Sequence, residues 1–374
     1  MKRILFLCWL CVCGCLQAQE RLERPLAFVN ADSTVVWGGG KPDFRATALA
    51  ADATLTSQPV RLPDDAARRF KADARRWREE LLPRLNLVGG LDDADRSGQT
   101  EGATQVVGAA APLLLQTADA QYADAIERAV FNALCAEASA PGPMSFDKHV
   151  AAQTLMDAAG MLYATDAEGV YVNLYLNSST HIVTSDFDFI LDQMTAMPFD
   201  GLVKLRLTGL GPGRHRLKLR FRIPSWALRR AYPAGGYTLS EAERTVPQIY
   251  VNGKEPLQLE FVNGYAVVDR EWITGDEVYF VLPVQPVWAM RPASVAAQPA
   301  ARALLCGLLV YAPSDASAGA RCPAEARLQP APELNSQGNP VLEVHAAGAD
   351  SAAVALTLEP YMDVAGPVWL EVGE

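Results

Sequence analysis

Gly169-Val170-Tyr171-Val172-Asn173-Leu174-Tyr175 is where the chain changes character. Apolar side chains begin to recur at every second residue, the period of a strand whose two faces meet different surroundings. Leu202 to Leu207, Leu217 to Ile223, Tyr265 to Val268, Val278 to Leu282 and Leu304 to Tyr311 continue the pattern. Asn252-Gly253, Asn263-Gly264 and Gly275-Asp276 interrupt it at short intervals, because Asn, Asp and Gly reach the positive φ that tight turns need. Many short strands so spaced predict antiparallel sheets packed as sandwiches. Pro313 to Pro340, rich in Ala, Pro and Ser, reads as a loop before Val341 to Val344 and Ala353 to Leu358 resume strand patterning.

Upstream of Gly169 the period is helical. Asp64 and Asp65 suit a helix start, and Ala67, Phe70, Ala74, Trp77 and Leu81 fall on one face, with Arg68, Arg69, Arg75, Arg76 and Arg78 on the solvated side. Helical character resumes from Thr100 to Leu115, pauses at Thr117-Ala118-Asp119, and returns from Ala120 to Cys135 with Ala123, Ile126, Val130, Phe131 and Leu134 as its stripe. Pro141-Gly142-Pro143 breaks it, and a third helix is expected from Ser145 to Tyr163. Arg24 to Pro63 has no sustained period and reads as short strands and loops. Its Gly38-Gly39-Gly40 is a turn, since Lys41 is followed by Pro42 rather than the Ser or Thr of a phosphate loop.

The first residues have the form of an export signal. Lys2 and Arg3 precede the apolar run Ile4 to Leu16, and Leu16-Gln17-Ala18 is a small-residue cleavage site that would leave Gln19 first. A second reading places a lipobox at Val12-Cys13-Gly14-Cys15, with Cys15 lipidated and the protein tethered to a membrane. Either implies an exported, periplasmic or extracellular protein. Cys8, Cys11, Cys13 and Cys15 lie in that signal, which leaves Cys135, Cys306 and Cys322, too few for more than one disulfide and without the CxxC spacing of a thiolate metal site. They read as buried thiols. With 374 residues and 50% of them hydrophobic, the chain can fill a large core, and its net charge of -10 argues against nucleic acid, whose binding requires neutralised phosphates. A glycan is a compatible ligand. His149, His181, His215 and His345 lack metal-ligand spacing, and neither GxSxG nor a dinucleotide fingerprint follows a strand. The basic run from Lys204 to Arg222 alternates with Leu, Phe and Ile and reads as the solvent face of strands. Trp226, Trp272, Trp288 and Trp369 could offer sugar-stacking surfaces, although Trp272 and Trp369 suit a sandwich core.

The order of helical hairpins, Tyr171-Val172-Asn173-Leu174-Tyr175 and Arg222-Ile223-Pro224-Ser225-Trp226 resembles glycoside hydrolase family 127, the β-L-arabinofuranosidase family. Val251-Asn252-Gly253, Gly264-Tyr265 through Arg270-Glu271-Trp272, Gly275 to Val278, Leu282-Pro283, Gly307 to Tyr311, Glu359-Pro360-Tyr361 and Val368-Trp369-Leu370 follow in the same order. Asp119 to Asp124, Glu127 to Asn132 and Leu87-Val88-Gly89-Gly90-Leu91 are similar to that family's last catalytic-domain helices and its glycine turn, so the likeness runs from about residue 75 to 374. The resemblance implies an α+β chain: a signal peptide (1–18), a strand and loop segment (19–63), helical hairpins left from an α/α toroid (64–168), an antiparallel β-sandwich domain (169–312) and a C-terminal β segment completing a sandwich (313–374). Roughly half of the toroid is expected to be missing.

That family's chemistry needs a zinc-bound cysteine thiolate to attack the anomeric carbon and a glutamic acid to protonate the leaving oxygen. It is supplied by a Glu-x-Cys pair and a later Cys-Cys pair. Counting from Tyr122 and Tyr163, the corresponding positions hold Gln99 and Glu101, then Phe146 and Asp147, and the loop for the acid is cut to Asp92 through Gly98. No cysteine remains, so no zinc cofactor is expected and the family's reaction should be lost. Glu101 and Asp147 are the carboxylate pair that could still act as acid and base, and His149 and Gln153, one helical turn apart, are the residues placed to touch a glycan. Two carboxylates at helix starts also serve as partners of the helix dipole or as solvated side chains. The resulting expectation is a family 127-like protein in glycan handling without zinc–cysteine catalysis. An active carboxylate-pair glycosidase and a non-catalytic carbohydrate-binding or assembly protein are the alternatives.

Overall fold

The structure, a computed structural model, describes residues 27–28, 34–36, 64–92, 96–232, 237–240, 246–254, 257–291, 300–346 and 354–373. The signal segment 1–18 with Cys15 and the glycine triplet at 38–40 lie outside the described residues. The chain is α+β, with helices first and largely antiparallel sheets after them.

Helix α1 spans Ala66–Arg76 and continues through a wider turn, Trp77–Leu81. Ala66, Phe70, Trp77 and Leu81 are its buried face. Ala67, expected there, is exposed, because a residue four before Phe70 lies more nearly above it than one three before. Helices α2 (Arg96–Thr117) and α3 (Ala120–Arg128) form a hairpin. Asp119 caps α3 by accepting from Gln121 N at 3.0 Å, which satisfies one of the free N–H groups at a helix start. The rod runs on through Ala129–Leu134 into α4, Cys135–Ala138. Asn132 fixes this rod to the C-terminal sheet: its amide donates to Leu308 O at 3.1 Å and its oxygen accepts from Val310 N at 2.8 Å. Helix α5 (Phe146–Ala159) starts at Ser145, whose hydroxyl accepts from Lys148 N at 3.1 Å, and stops at Gly160. Tyr163, expected to close this helix, instead opens a strand, because residues 163–166 find their backbone partners in Gly169–Val172.

Two six-stranded sheets form the sandwich. The first runs in the order Ala27–Phe28, Tyr163–Asp166, Gly169–Val172, His215–Arg222, Tyr265–Trp272, Glu260–Val262. The second runs Tyr250–Val251, Glu277–Val281, Leu202–Thr208, Asp188–Thr195, Asn177–Val183, Thr34–Val36. Gly169–Val172 and His215–Arg222 pair in parallel, an exception to the expected antiparallel arrangement that a long connection through the second sheet makes possible. Between the layers, Phe280 meets both Phe221 and Tyr175 edge-on at 5.6 Å. Trp272 is fully buried, and Trp369 is partly buried against the core under the Arg291 guanidinium. A third sheet of nine strands gathers Thr238–Leu239, Pro286–Arg291 and the described strands from Ala301 onward. Within the stretch read as a loop, Cys322–Pro323 and Ala326–Pro330 are strands of that sheet, since Ala326–Pro330 pairs along its full length with Leu342–Ala346 despite its weak apolar pattern. No helix among the described residues is long and apolar enough to cross a membrane.

Candidate functional site

Helices α2 and α5 lie side by side, with Thr104 Oγ1 and Thr154 Oγ1 3.4 Å apart. Glu101, His149 and Gln153 are exposed along this pair, and Asp147 is partly buried in the first turn of α5. Glu101 accepts from Gln105 Nε2 at 3.2 Å, and Gln153 donates to Asp157 Oδ1 at 3.1 Å, so both engage neighbours one turn along their own helices. Glu101 sits in the second turn of α2 rather than at its start, because the helix begins at Arg96. Asp147 is where the helix-dipole reading needs a carboxylate.

The zinc that the resemblance implies does not fit these side chains. Gln99 is buried and committed, accepting from Asn86 Nδ2 at 2.7 Å and donating to Asp92 O at 3.2 Å. Phe146 is 80% exposed and has no ligand atom. Glu101 and Asp147 leave two carboxylates and no thiolate, a hard and incomplete donor set for zinc. The three described cysteines are free: Cys306 and Cys322 lie far along the chain, and Cys135, in α4 beside α5, is buried. Burial pushes the Cys135 thiol up to about 12 and the Cys306 thiol up to about 11, which keeps both protonated and poor as ligands or nucleophiles.

The chain invests its buried charge elsewhere. Arg220 and Arg222, read as part of a solvated strand face, are both buried. Their strand, His215–Arg222, is covered on both sides by neighbours, and each arginine is met by acids from the segment packed over it. Arg220 Nη2 lies 2.9 Å from Glu168 Oε2 and 3.3 Å from Asp166 Oδ2. Arg222 donates to Asp124 Oδ1 at 2.5 Å and to Glu127 Oε1, and its Nε donates to Asn173 O at 2.5 Å. Trp226 Nε1 donates to Glu127 Oε2 at 2.9 Å, and Ser225 N donates to Asp124. The motif Arg222-Ile223-Pro224-Ser225-Trp226 is thus the clamp that fastens the sandwich to α3. Asp124 and Glu127, three residues apart on one face of an otherwise buried helix, were the available sequence signal for a basic partner.

Burial pushes the Asp124 carboxyl up to about 6, with the Arg222 guanidinium opposing the shift and the neighbouring Glu127 adding to it. The folded chain therefore holds a proton that the unfolded chain would release between the ordinary value near 3.8 and about 6. This group's contribution to stability is fully present below that ordinary value and is lost as the pH rises through 6. Chemical denaturation from pH 4.5 to 7.5 is expected to show this dependence in the wild type and its removal in Asp124→Asn. An unchanged profile in the variant would assign the titration to another group.

The segment 169–284 matches the family model of the β-L-arabinofuranosidase GH127 middle domain. No curated protein matches the chain by sequence. Among solved structures, a GH127 β-arabinofuranosidase superposes with a TM-score of 0.70 at 21% identity, over 89% of this chain and 58% of its own. A GH127 β-L-arabinofuranosidase from Geobacillus stearothermophilus T6 superposes with a TM-score of 0.60 at 19% identity, over 78% of this chain and 55% of its own. A further structure, a glycoside hydrolase, gives 0.56 at 19% identity, over 74% of this chain and 52% of its own. The chain spans little more than half the length of these structures. The segment 169–284 is thus similar to the middle domain of the GH127 β-L-arabinofuranosidases, and the fold as a whole is similar to theirs.

Proposed function

We propose that this protein serves in glycan handling outside the cell's interior, as an exported relative of the arabinofuranosidases that does not hydrolyse by zinc–cysteine chemistry. One observation carries this reading: the positions that the resemblance assigns to the site, Gln99, Glu101, Phe146 and Asp147, include no thiol, and Gln99 and Glu101 are tied to neighbours while Phe146 is turned to solvent. A thiolate nucleophile needs a metal or cation to hold it deprotonated, and neither a sulfur nor a set of soft ligands is present at these positions. The glycan association rests on the matched middle domain, which accompanies sugar-cleaving enzymes in the similar structures.

A panel of nitrophenyl glycosides, including the β-L-arabinofuranoside, tests the proposal. The expected result is no turnover above the protein-free rate by the full chain or by Glu101→Gln and Asp147→Asn. Turnover by the wild type that disappears in either variant would establish a carboxylate-pair glycosidase instead. A glycan array read with the same protein separates a binding protein, whose signal falls on substitution of an exposed aromatic, from an assembly protein with no glycan affinity.

A further inference from the structure

Behind the clamp, the rod and the C-terminal sheet border a small, largely apolar space of ≈ 10 Å³, room for about one water-sized particle, whose polar lining includes Arg128, Arg229, Tyr237 and Gln285. Arg128 is 4% exposed and Arg229 8%, and neither has a carboxylate within 4 Å among the described residues. Arg128 donates through Nη1 to Leu87 O at 3.1 Å, and Arg229 donates through Nη2 to Gln285 Oε1 at 2.9 Å. Both acceptors are neutral. The Arg229 Nε–H is buried and has no acceptor among the described residues. Arg229 itself is held in the left-handed region, φ 52, a conformation that costs a non-glycine residue and that here closes the turn in which Arg229 N donates to Trp226 O and Arg230 N to Ser225 O.

Charge counting gives the site its chemistry. Among the described residues, the buried ionic groups of this junction are the guanidiniums of Arg128, Arg222 and Arg229 and the carboxylates of Asp124 and Glu127. Both carboxylates are already spent on Arg222, Ser225 and Trp226. With both ionised, one positive charge is left over in a setting where an uncompensated buried cation is costly. Uncharged water would satisfy the Nε–H but not the charge. We propose that the space between Arg128 and Arg229 is a structural binding site for one monovalent anion of halide size, which in physiological media is chloride. A halide, only a few tenths of an ångström larger in radius than water, is the anion nearest in size to the space; it accepts from several N–H donors at once and closes the charge balance, whereas sulfate, phosphate and carboxylates are larger still. Because Arg128 belongs to α3, Trp226 to the clamp motif and Arg229 to the turn just after it, and Gln285 and Gly307 to the approaches of the third sheet, the ion would bind where three parts of the fold meet.

The test compares the melting temperature of the full chain in sodium chloride, sodium bromide and sodium gluconate at equal ionic strength. A saturable rise of roughly 2–4 °C with either halide over gluconate is expected. The increment should vanish in Arg229→Gln, whatever that variant's own melting temperature. Equal melting in all three salts, or a halide increment retained in Arg229→Gln, would overturn the proposal and leave water as the occupant. Should the variant fail to fold, crystals of the wild type grown in bromide decide: an anomalous peak between Arg128 and Arg229 supports the site, and ordinary water density without anomalous signal refutes it.

Discussion

Replacing Arg222 by methionine is expected to destabilise the protein by about 3–5 kcal/mol, read as a lower midpoint in urea with tryptophan fluorescence as the probe. The substitution keeps the volume but removes the cation that faces Asp124 and Glu127, both buried in the helix above it. Trp226 Nε1 and Ser225 N remain as donors, yet neither carries the compensating charge. Two carboxylates in a dry site then repel each other as well as resisting desolvation, so one of them should take up a proton. Accordingly the deficit should be larger at pH 7.5 than at pH 5, where protonation relieves part of it. A loss under about 1 kcal/mol, the range of solvated ion pairs, would mean that water reaches the clamp and that the sandwich is fastened to the helices by apolar contact alone.

Gly89→Ala is expected to cost roughly 3–5 kcal/mol, for two reasons that act at the same atom. Gly89 sits at φ +83, and a Cβ there would lie 2.2 Å from Ala129 N and 2.4 Å from Ala129 Cα, backbone atoms of the rod that cannot rotate away. The turn around it is rigid. Asn86 Oδ1 accepts from Val88 N at 3.1 Å and Gly90 N at 3.0 Å, and Ala133 N donates to Val88 O. Gly142→Ala provides the internal control, since Gly142 also has positive φ, +101, but meets nothing within 4 Å. It should lose only the conformational part, about 1 kcal/mol. Similar losses for the two variants in the same urea series would show that the turn yields rather than clashes.

Much of the architecture was legible along the chain because periodicity is a local property. The switch near Gly169, the turns at Asn252-Gly253 and Asn263-Gly264, and the hairpin break before Ala120 each depend on residues within a few positions of one another. Asn252 and Asn263 do adopt positive φ, 53 and 49, as their turns require. Where the reading slipped, the deciding partner was distant. Ala326–Pro330 has little alternation and becomes a strand only because Leu342–Ala346 offers it a ladder. Tyr163 has a helix behind it and joins a sheet because Gly169–Val172 returns alongside.

The candidate site divides in the same way. That Gln99, Glu101, Phe146 and Asp147 are not cysteines is a matter of residue identity, so the sequence alone determines it, as it carries the α-then-β order and the short ordered motifs that resemble the family. Whether Glu101, Asp147, His149 and Gln153 share an enclosed space is decided by packing, and the structure turns Glu101, His149 and Gln153 to solvent. Tertiary structure alone also turned Arg220 and Arg222 from a solvent stripe into buried ion pairs, bringing Arg222 to Asp124 and Glu127 across 98 and 95 residues, and set Arg128 and Arg229 around one small space without an acid for either among the described residues. The physical reason is that alternation records only which face a strand residue takes, whereas the cost of burying a charge depends on what the rest of the chain lays over that face.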